Sequence, residues 1–221
     1  MQIIWHGQSC FQIITSQGKN SQTSIVIDPF SEEIGLRLPK LEADILLVTH
    51  HHYDHDNIKG VGSPSGGNYF LVDGPGEYEV KNVFIRGIQA FHDNSQGKER
   101  GENTIYTIES EDLKLCHLGD LGQKELTDEQ LEVIGEVDIL LIPIGGVYTI
   151  SAKEAMNVMS QIEPNITIPM HYLIPKLKDK LDGLDKFLKG LGMKSITPEN
   201  KLSIKKKDIL PEEAKVIVLK P

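Results

Sequence analysis

The chain has 221 residues, 39% of them hydrophobic and 25% charged, which is enough for one domain spanning 1–221 with a full-sized core. Its formal charge of −9 disfavours a large nucleic-acid or anionic-membrane footprint. Two cysteines, Cys10 and Cys116, cannot build a disulfide framework and are expected as buried thiols in a reducing, cytoplasmic setting; the amino terminus has no basic segment leading into an apolar stretch, and the longest apolar runs are strand-sized, so neither secretion nor a membrane span is expected.

In chain order, the first half predicts short strands at residues 2–5, 11–15, 24–28, 45–49, 82–91, 104–109 and 113–117, with turn clusters at 16–20 and 62–68. Asp73, Glu77 and Tyr78 follow a strand and read as a turn without a role. Helical patterning comes later, over 127–134, 151–162 and 178–191. Thr127 with Gln130 and Ser151 with Glu154 match capping boxes, in which each side chain satisfies an otherwise unpaired helix amide. The lysines at 205–207 read as a solvated strand edge, and a last strand is predicted at 215–219. Strands and helices without strict alternation predict an α+β layered arrangement. One internal echo stands out: Asp44-Ile45-Leu46-Leu47-Val48 recurs as Asp138-Ile139-Leu140-Leu141-Ile142. Both are apolar runs of the kind buried on two faces, and each ends in a polar or glycine-rich loop.

Chemistry concentrates in the loop after the first of these runs. His50, His51, His52 and His55 fall within six positions, beside Asp54 and Asp56. In an extended segment His50, His52 and Asp54 project to one side, and His51 and Tyr53 to the other. A helix starting near Asp54 and running through Asn57 and Ile58 would swing His55 towards the same centre. Imidazoles and carboxylates at this density are zinc or iron ligands, and there are more of them than one tetrahedral ion needs, which points to two metals.

The segment THHHYDH resembles the THxHxDH signature of the metallo-β-lactamase superfamily, with His50, His52, Asp54 and His55 at the four defining positions. The resemblance spans nearly the whole chain. Ala90-Phe91-His92-Asp93, His117-Leu118-Gly119-Asp120 and Ile168-Pro169-Met170-His171 occur where family members place a further histidine, a Gly-Asp turn and a late histidine. It implies a four-layered αβ/βα sandwich, with His50, His52 and His92 on one metal ion, Asp54, His55 and His171 on the other, and Asp120 bridging them. Two zinc ions are implied first, with manganese or iron as alternatives. The implied reaction is attack of a metal-bridging hydroxide on an ester, lactone, amide or phosphodiester, with Asp54 orienting the nucleophile. His52 favours hydrolysis, since the oxygen-reducing di-iron members place a Glu there.

The opening IIWHGQSCF is similar to a short branch that includes a sugar-phosphate lactonase and a phospholipase D acting on N-acyl lipids. It departs from that branch in placing Gln8 after Gly7, with His6 before the glycine. Asp28, at the strand end IVIDPF, resembles an Asp that steadies a ligand histidine. His117 shares a strand face with Leu113 and Leu115 and is expected to be packed near the site rather than on a metal. His92 falls just past its strand and is the expected ligand. His117 and His6 are the candidates for protonating a leaving group. Asn103 reads as a turn asparagine or a site-lining residue, and Gly145 with Gly146 as either a turn or an opening for substrate. Members that cut nucleic acids usually carry an extra domain, for which 221 residues leave no room, so a small-molecule substrate is expected and no nucleic acid. Nothing indicates an oligomeric state. The alternatives are a metal-binding or sensing protein without turnover and, behind it, a nuclease.

Overall fold

The computed structural model describes residues 1–16, 18, 21–210 and 214–221. Residues 17, 19 and 20 of the turn expected at 16–20 lie outside it. The first half contains β1 (Gln2–Gly7), β2 (Cys10–Ser16), β3 (Gln22–Ile27), β4 (Leu41–Glu42), β5 (Ile45–Leu47), β6 (Val61–Gly62) and β7 (Phe70–Val72). Strict alternation of buried and half-buried residues in β1 suits a strand with one face on the core. β1, β2 and β3 form an antiparallel meander, to which β5 and then β7 add in parallel. β4 and β6 pair separately.

The second half supplies β8 (Gly76–Val80), β9 (Val83–Phe91), β10 (Glu102–Ser110), β11 (Leu113–His117), α1 (Asp128–Ile134), β12 (Ile139–Pro143), α2 (Ala152–Ile162), β13 (Ile166–Met170), α3 (Leu184–Gly190), β14 (Leu202–Ser203) and β15 (Lys215–Val216). β14 closes the first sheet against β1, giving the order β14-β1-β2-β3-β5-β7. The second sheet runs β15-β13-β12-β11-β10-β9-β8. Its parallel crossovers carry α1, α2 and α3, whereas those of the first sheet carry 3₁₀ turns at Glu32–Ile34 and Ile58–Gly60 and the short strands β4 and β6. The expected α+β sandwich of mixed sheets is present, with its α-helices associated with the second sheet. Trp5, Phe11, Phe30, Tyr106 and Phe187 are the largest wholly buried side chains of one continuous core, which also contains the free thiols Cys10 and Cys116.

The internal echo is a structural repeat. Asp44 donates its amide to the Ser24 carbonyl, accepts the Ser24 amide on Oδ2 and accepts the Phe70 amide on its own carbonyl. Asp138 makes the same three bonds with Lys114 and Ile166. Each aspartate thus locks the start of a strand that is parallel to both neighbours and buried throughout. Both strands deliver their ends to the same rim. There Tyr106 Oη donates to the Val48 carbonyl (2.9 Å) and the Thr104 amide to the Thr49 carbonyl (2.8 Å), stitching one sheet to the other.

Both capping boxes form as expected, with Thr127 and Ser151 as N-caps. Five expectations need correction. The helix predicted over 178–191 shrinks to α3, because the Asp182 amide donates to the Gly145 carbonyl and the Asp182 carbonyl accepts from Leu173, which holds the preceding stretch extended. No α-helix starts near Asp54; the loop turns tightly instead, the His55 and Asp56 amides both donating to the His52 carbonyl. The lysine tract holds a 3₁₀ turn at Lys206–Asp208, with Lys206 paired to Asp138, not a strand edge. Glu77 and Tyr78 lie in β8, which forms a hairpin with β9, so only Asp73 stays outside a strand. The last strand is confined to β15, with Leu219 making an isolated bridge to Glu199. Among the described residues no helix is long and apolar enough to cross a membrane.

Candidate metal centre

Seven side chains converge where the two sheets meet. His50, His52 and His92 form one group and Asp54, His55, Asp120 and His171 another, with the potential ligand atoms of each group within 4.8 Å of one another. Bringing in His92 from the end of β9, Asp120 from the turn after β11 and His171 from the end of β13 requires both sheets. His51 and Tyr53 project outward and are exposed, as alternation predicts. Asp120 Oδ2 lies 3.1 Å from His171 Nε2, 3.2 Å from His55 Nε2 and 3.5 Å from His92 Nε2, so a single oxygen faces histidines of both groups.

The surrounding hydrogen bonds set the imidazole tautomers. Asp28 is wholly buried; its Oδ1 accepts the Thr49 amide (2.8 Å) and its Oδ2 accepts Thr49 Oγ1 (2.7 Å) and His55 Nδ1 (3.0 Å). With its proton committed to Asp28, Thr49 Oγ1 accepts from His50 Nδ1 at 3.0 Å. One carboxylate therefore fixes a ligand histidine in each group with its Nε2 lone pair facing inward, the arrangement that tunes and orients metal ligands. His50 Nε2 is buried without a hydrogen-bond partner, and His55 Nε2 faces only the carboxylates of Asp54 and Asp120, at 3.3 and 3.2 Å. An orphaned nitrogen such as that of His50 is costly unless a cation completes it, so the donor set fits a metal.

Electrostatics agrees with this division. Burial, reinforced by His55, pushes His50 down to about 2, and burial likewise lowers His92, which favours the neutral form of both imidazoles. Burial opposes a charge on His55, yet Asp120 and Asp54 outweigh it and hold this imidazole well above its usual range. Burial also opposes ionisation of Asp120, but His171 and His55 keep it well below the carboxylate range. Without metal, the second group is thus a cluster of ion pairs; five imidazoles and two carboxylates exceed what one four-coordinate ion takes.

A family model for the beta-lactamase superfamily domain matches residues 2–171, a segment that contains all seven side chains and ends on His171. A UPF0173 metal-dependent hydrolase of Thermoplasma volcanium is 34% identical over 197 residues, covering 78% of this chain and 83% of its own length. The chain belongs to the metallo-β-lactamase superfamily. Within it, the chain falls among the UPF0173 metal-dependent hydrolases, another of which, from Thermococcus onnurineus, is 31% identical over 189 residues and covers 75% of this chain and 82% of itself. A solved structure of a superfamily protein from Thermotoga maritima, proposed to be a Zn-dependent hydrolase, is 37% identical and matches with a TM-score of 0.78, covering 99% of this chain and 97% of that one. The sandwich is accordingly the metallo-β-lactamase fold.

In this superfamily member the seven residues are held by further side chains, of which sequence reasoning singled out His117 and Asn103 but not Ser9. Ser9, wholly buried, donates from Oγ to Asp120 Oδ1 (3.0 Å), which leaves Oδ2 for the histidines. His117 is buried outside both groups: its Nε2 donates to the Ser9 carbonyl (2.9 Å) and its Nδ1 accepts the Gly119 amide (3.0 Å). It reaches Asp120 through Ser9 and through the Gly119 amide. Asn103 neither forms a turn nor lines the site; from β10 its Oδ1 accepts the Asp120 amide and its Nδ2 donates to the Leu118 carbonyl, both at 2.9 Å. Gly119 at φ 57° packs so closely on Thr49 and Asn103 that a Cβ would lie 2.3 Å from Asn103 Oδ1, so the turn admits only glycine. Gly145 has a similar function: a Cβ there would lie 2.1 Å from the His171 carbonyl oxygen, so its missing side chain seats the ligand strand.

Gln8, read from sequence only as a departure from a branch pattern, is buried in the site. Its Nε2 lies 3.4 Å from both Asp54 Oδ2 and His171 Nε2, while its Oε1 is unpartnered. Gln8, Asp28 and His171 all adopt the left-handed conformation, with φ of 48–49°. Such backbone persists where surrounding contacts over-determine it, and a cluster of three at one site is the mark of a functional constraint. His6, next in β1, is held neutral by burial, which pushes it down to about 4. No pattern rule links Gln8 to the candidate ligands; the signal was its place in the turn after β1.

Proposed function

We propose that the chain is a dinuclear metal-dependent hydrolase, with zinc as the first choice of metal and manganese or iron as alternatives. It would act in the cytoplasm on a small-molecule ester, lactone, amide or phosphodiester. The observation that supports this most is the single Asp120 oxygen facing histidines of both groups, at 3.1–3.5 Å. Two divalent ions bound there would supply Lewis acidity and water acidified to neutral pH. Asp120 would lie between the ions, its Oδ1 held by Ser9. Asp54, whose side chain is 15% exposed, is the carboxylate placed to orient incoming water and accept its proton, with Gln8 Nε2 steadying its Oδ2. Both ring nitrogens of His117 are engaged and the residue is wholly buried, so it positions Ser9 and cannot protonate a leaving group; solvent is the proton source in this scheme. No nucleic-acid partner is proposed.

Protein purified without chelator is expected to contain up to two transition-metal equivalents per chain by elemental analysis. It should turn over at least one class in a panel of chromogenic esters, lactones and phosphodiesters, with the activity removed by chelator and restored by zinc. Absence of metal uptake after reconstitution, or of chelator-sensitive turnover in every class, would contradict the proposal. In the second case a metal-binding protein without turnover would take its place.

A further inference from the structure

A cavity of about 300 Å³ adjoins the first ligand group and is lined by His50, His51, His52, Asp73, Arg100 and Glu102, among others. Arg100 lies in the loop between β9 and β10, which is not slack. Asp93, directly after the ligand His92, accepts four main-chain amides of that loop, from Ser95, Gly97, Glu99 and Arg100, at 2.7–2.9 Å. The same loop is tied back where the His92 amide donates to the Gly101 carbonyl. The Arg100 guanidinium stacks on Tyr148 from the loop after β12, with its carbon 4.6 Å from the ring centroid.

Among the described residues, no carboxylate pairs with the Arg100 side chain, although two line the same cavity. Neither reaches the guanidinium: Glu102 Oε1 accepts from Gln89 Nε2 at 3.0 Å, and Asp73 Oδ2 lies nearest His51, at 4.0 Å from its Nε2. The guanidinium, held by the anchored loop and the Tyr148 ring and not paired with a carboxylate, lies on the cavity that opens onto the first group of candidate ligands. The geometry points to Arg100 as an anion-recognition residue, so that the substrate carries a carboxylate or phosphate in addition to the bond that is hydrolysed. Planar guanidinium donors match either anion in a bidentate fashion, and the stack on Tyr148 lowers the entropy lost in binding it. This inference rests on the hydrolase proposal above and narrows its substrate class.

The test is calorimetric titration of the zinc-loaded protein with acetate, with the dicarboxylates from succinate to adipate, and with ω-phosphonocarboxylates of the same lengths. A monoanion can engage the metal site alone, whereas a dianion of the right length can also reach Arg100. In the wild type at least one dianion should bind about tenfold or more tighter than acetate, the range of one charge-assisted contact. Arg100→Ala, with zinc content and secondary structure verified, should bring that ratio close to one. A stronger effect in the phosphonocarboxylate arm would assign a phosphate, and in the dicarboxylate arm a carboxylate. A ratio unchanged by Arg100→Ala, or no dianion favoured in the wild type, would overturn the inference and leave the hydrolase proposal intact. An Arg100-dependent preference in a protein without chelator-sensitive turnover would do the reverse. If zinc is not taken up, the same titrations of the protein as isolated read the Arg100-dependent ratio.

Discussion

Asp120→Asn should lower turnover on the order of a thousandfold while leaving the fold intact. The amide keeps the shape and can still accept from Ser9, so the buried side chain is not stranded. It loses the charge that faces His55, His92 and His171, and with it the group that would serve both cations. Removing several kcal/mol of electrostatic stabilisation, at roughly 1.4 kcal/mol per factor of ten, accounts for about three orders of magnitude. Metal pairing should weaken in parallel, read as a second zinc equivalent released at lower chelator concentration. Activity close to wild type would remove the bridging role from Asp120.

The second large effect separates two histidines that each precede or approach an aspartate. His92→Ala should lose about one metal equivalent with little change in thermal stability, because its Nδ1 has no partner and its Nε2 faces Asp120. His117→Ala should do the opposite. It strands the buried Ser9 carbonyl and Gly119 amide and opens a cavity beside Phe11, whose ring centroid lies 5.8 Å away. That combination costs about 3 kcal/mol or more, roughly a 6–12 °C fall in Tm for a domain of this size. Elemental analysis and thermal melts on the two variants decide it; His117→Gln, which retains a donor, provides a folded comparison. Loss of one equivalent from the His117 variant, with His92→Ala unaffected, would move the ligand to the turn after β11.

Local signals carried a large share of this architecture. The capping boxes at Thr127 and Ser151 and the alternation of β1 need only neighbours in the chain, and both appear where sequence places them. The two groups of candidate ligands were legible because His50, His52, Asp54 and His55 are close in sequence and the remaining three sit at motif positions. What failed to show was long-range. The pattern over 178–191 has helical period, but hydrogen bonds of Asp182 to Gly145 and Leu173 override it. Ser9 and Gln8 act on side chains 46 to 163 positions away, Asn103 acts on main-chain groups 15 and 17 positions away, and no spacing rule connects them. Asp28 was legible as an aspartate at a strand end. Its reach through Thr49 to a second histidine was not, because that relay depends on the Thr49 hydroxyl donating in one direction and accepting in the other.

Anomalous diffraction at the zinc edge from crystals of the reconstituted protein tests the two-ion assignment most directly. Two peaks are predicted about 3.5–4 Å apart, one among His50, His52 and His92 and the other among Asp54, His55 and His171, with Asp120 between them. A single peak, or zinc bound away from these seven side chains, would contradict the account.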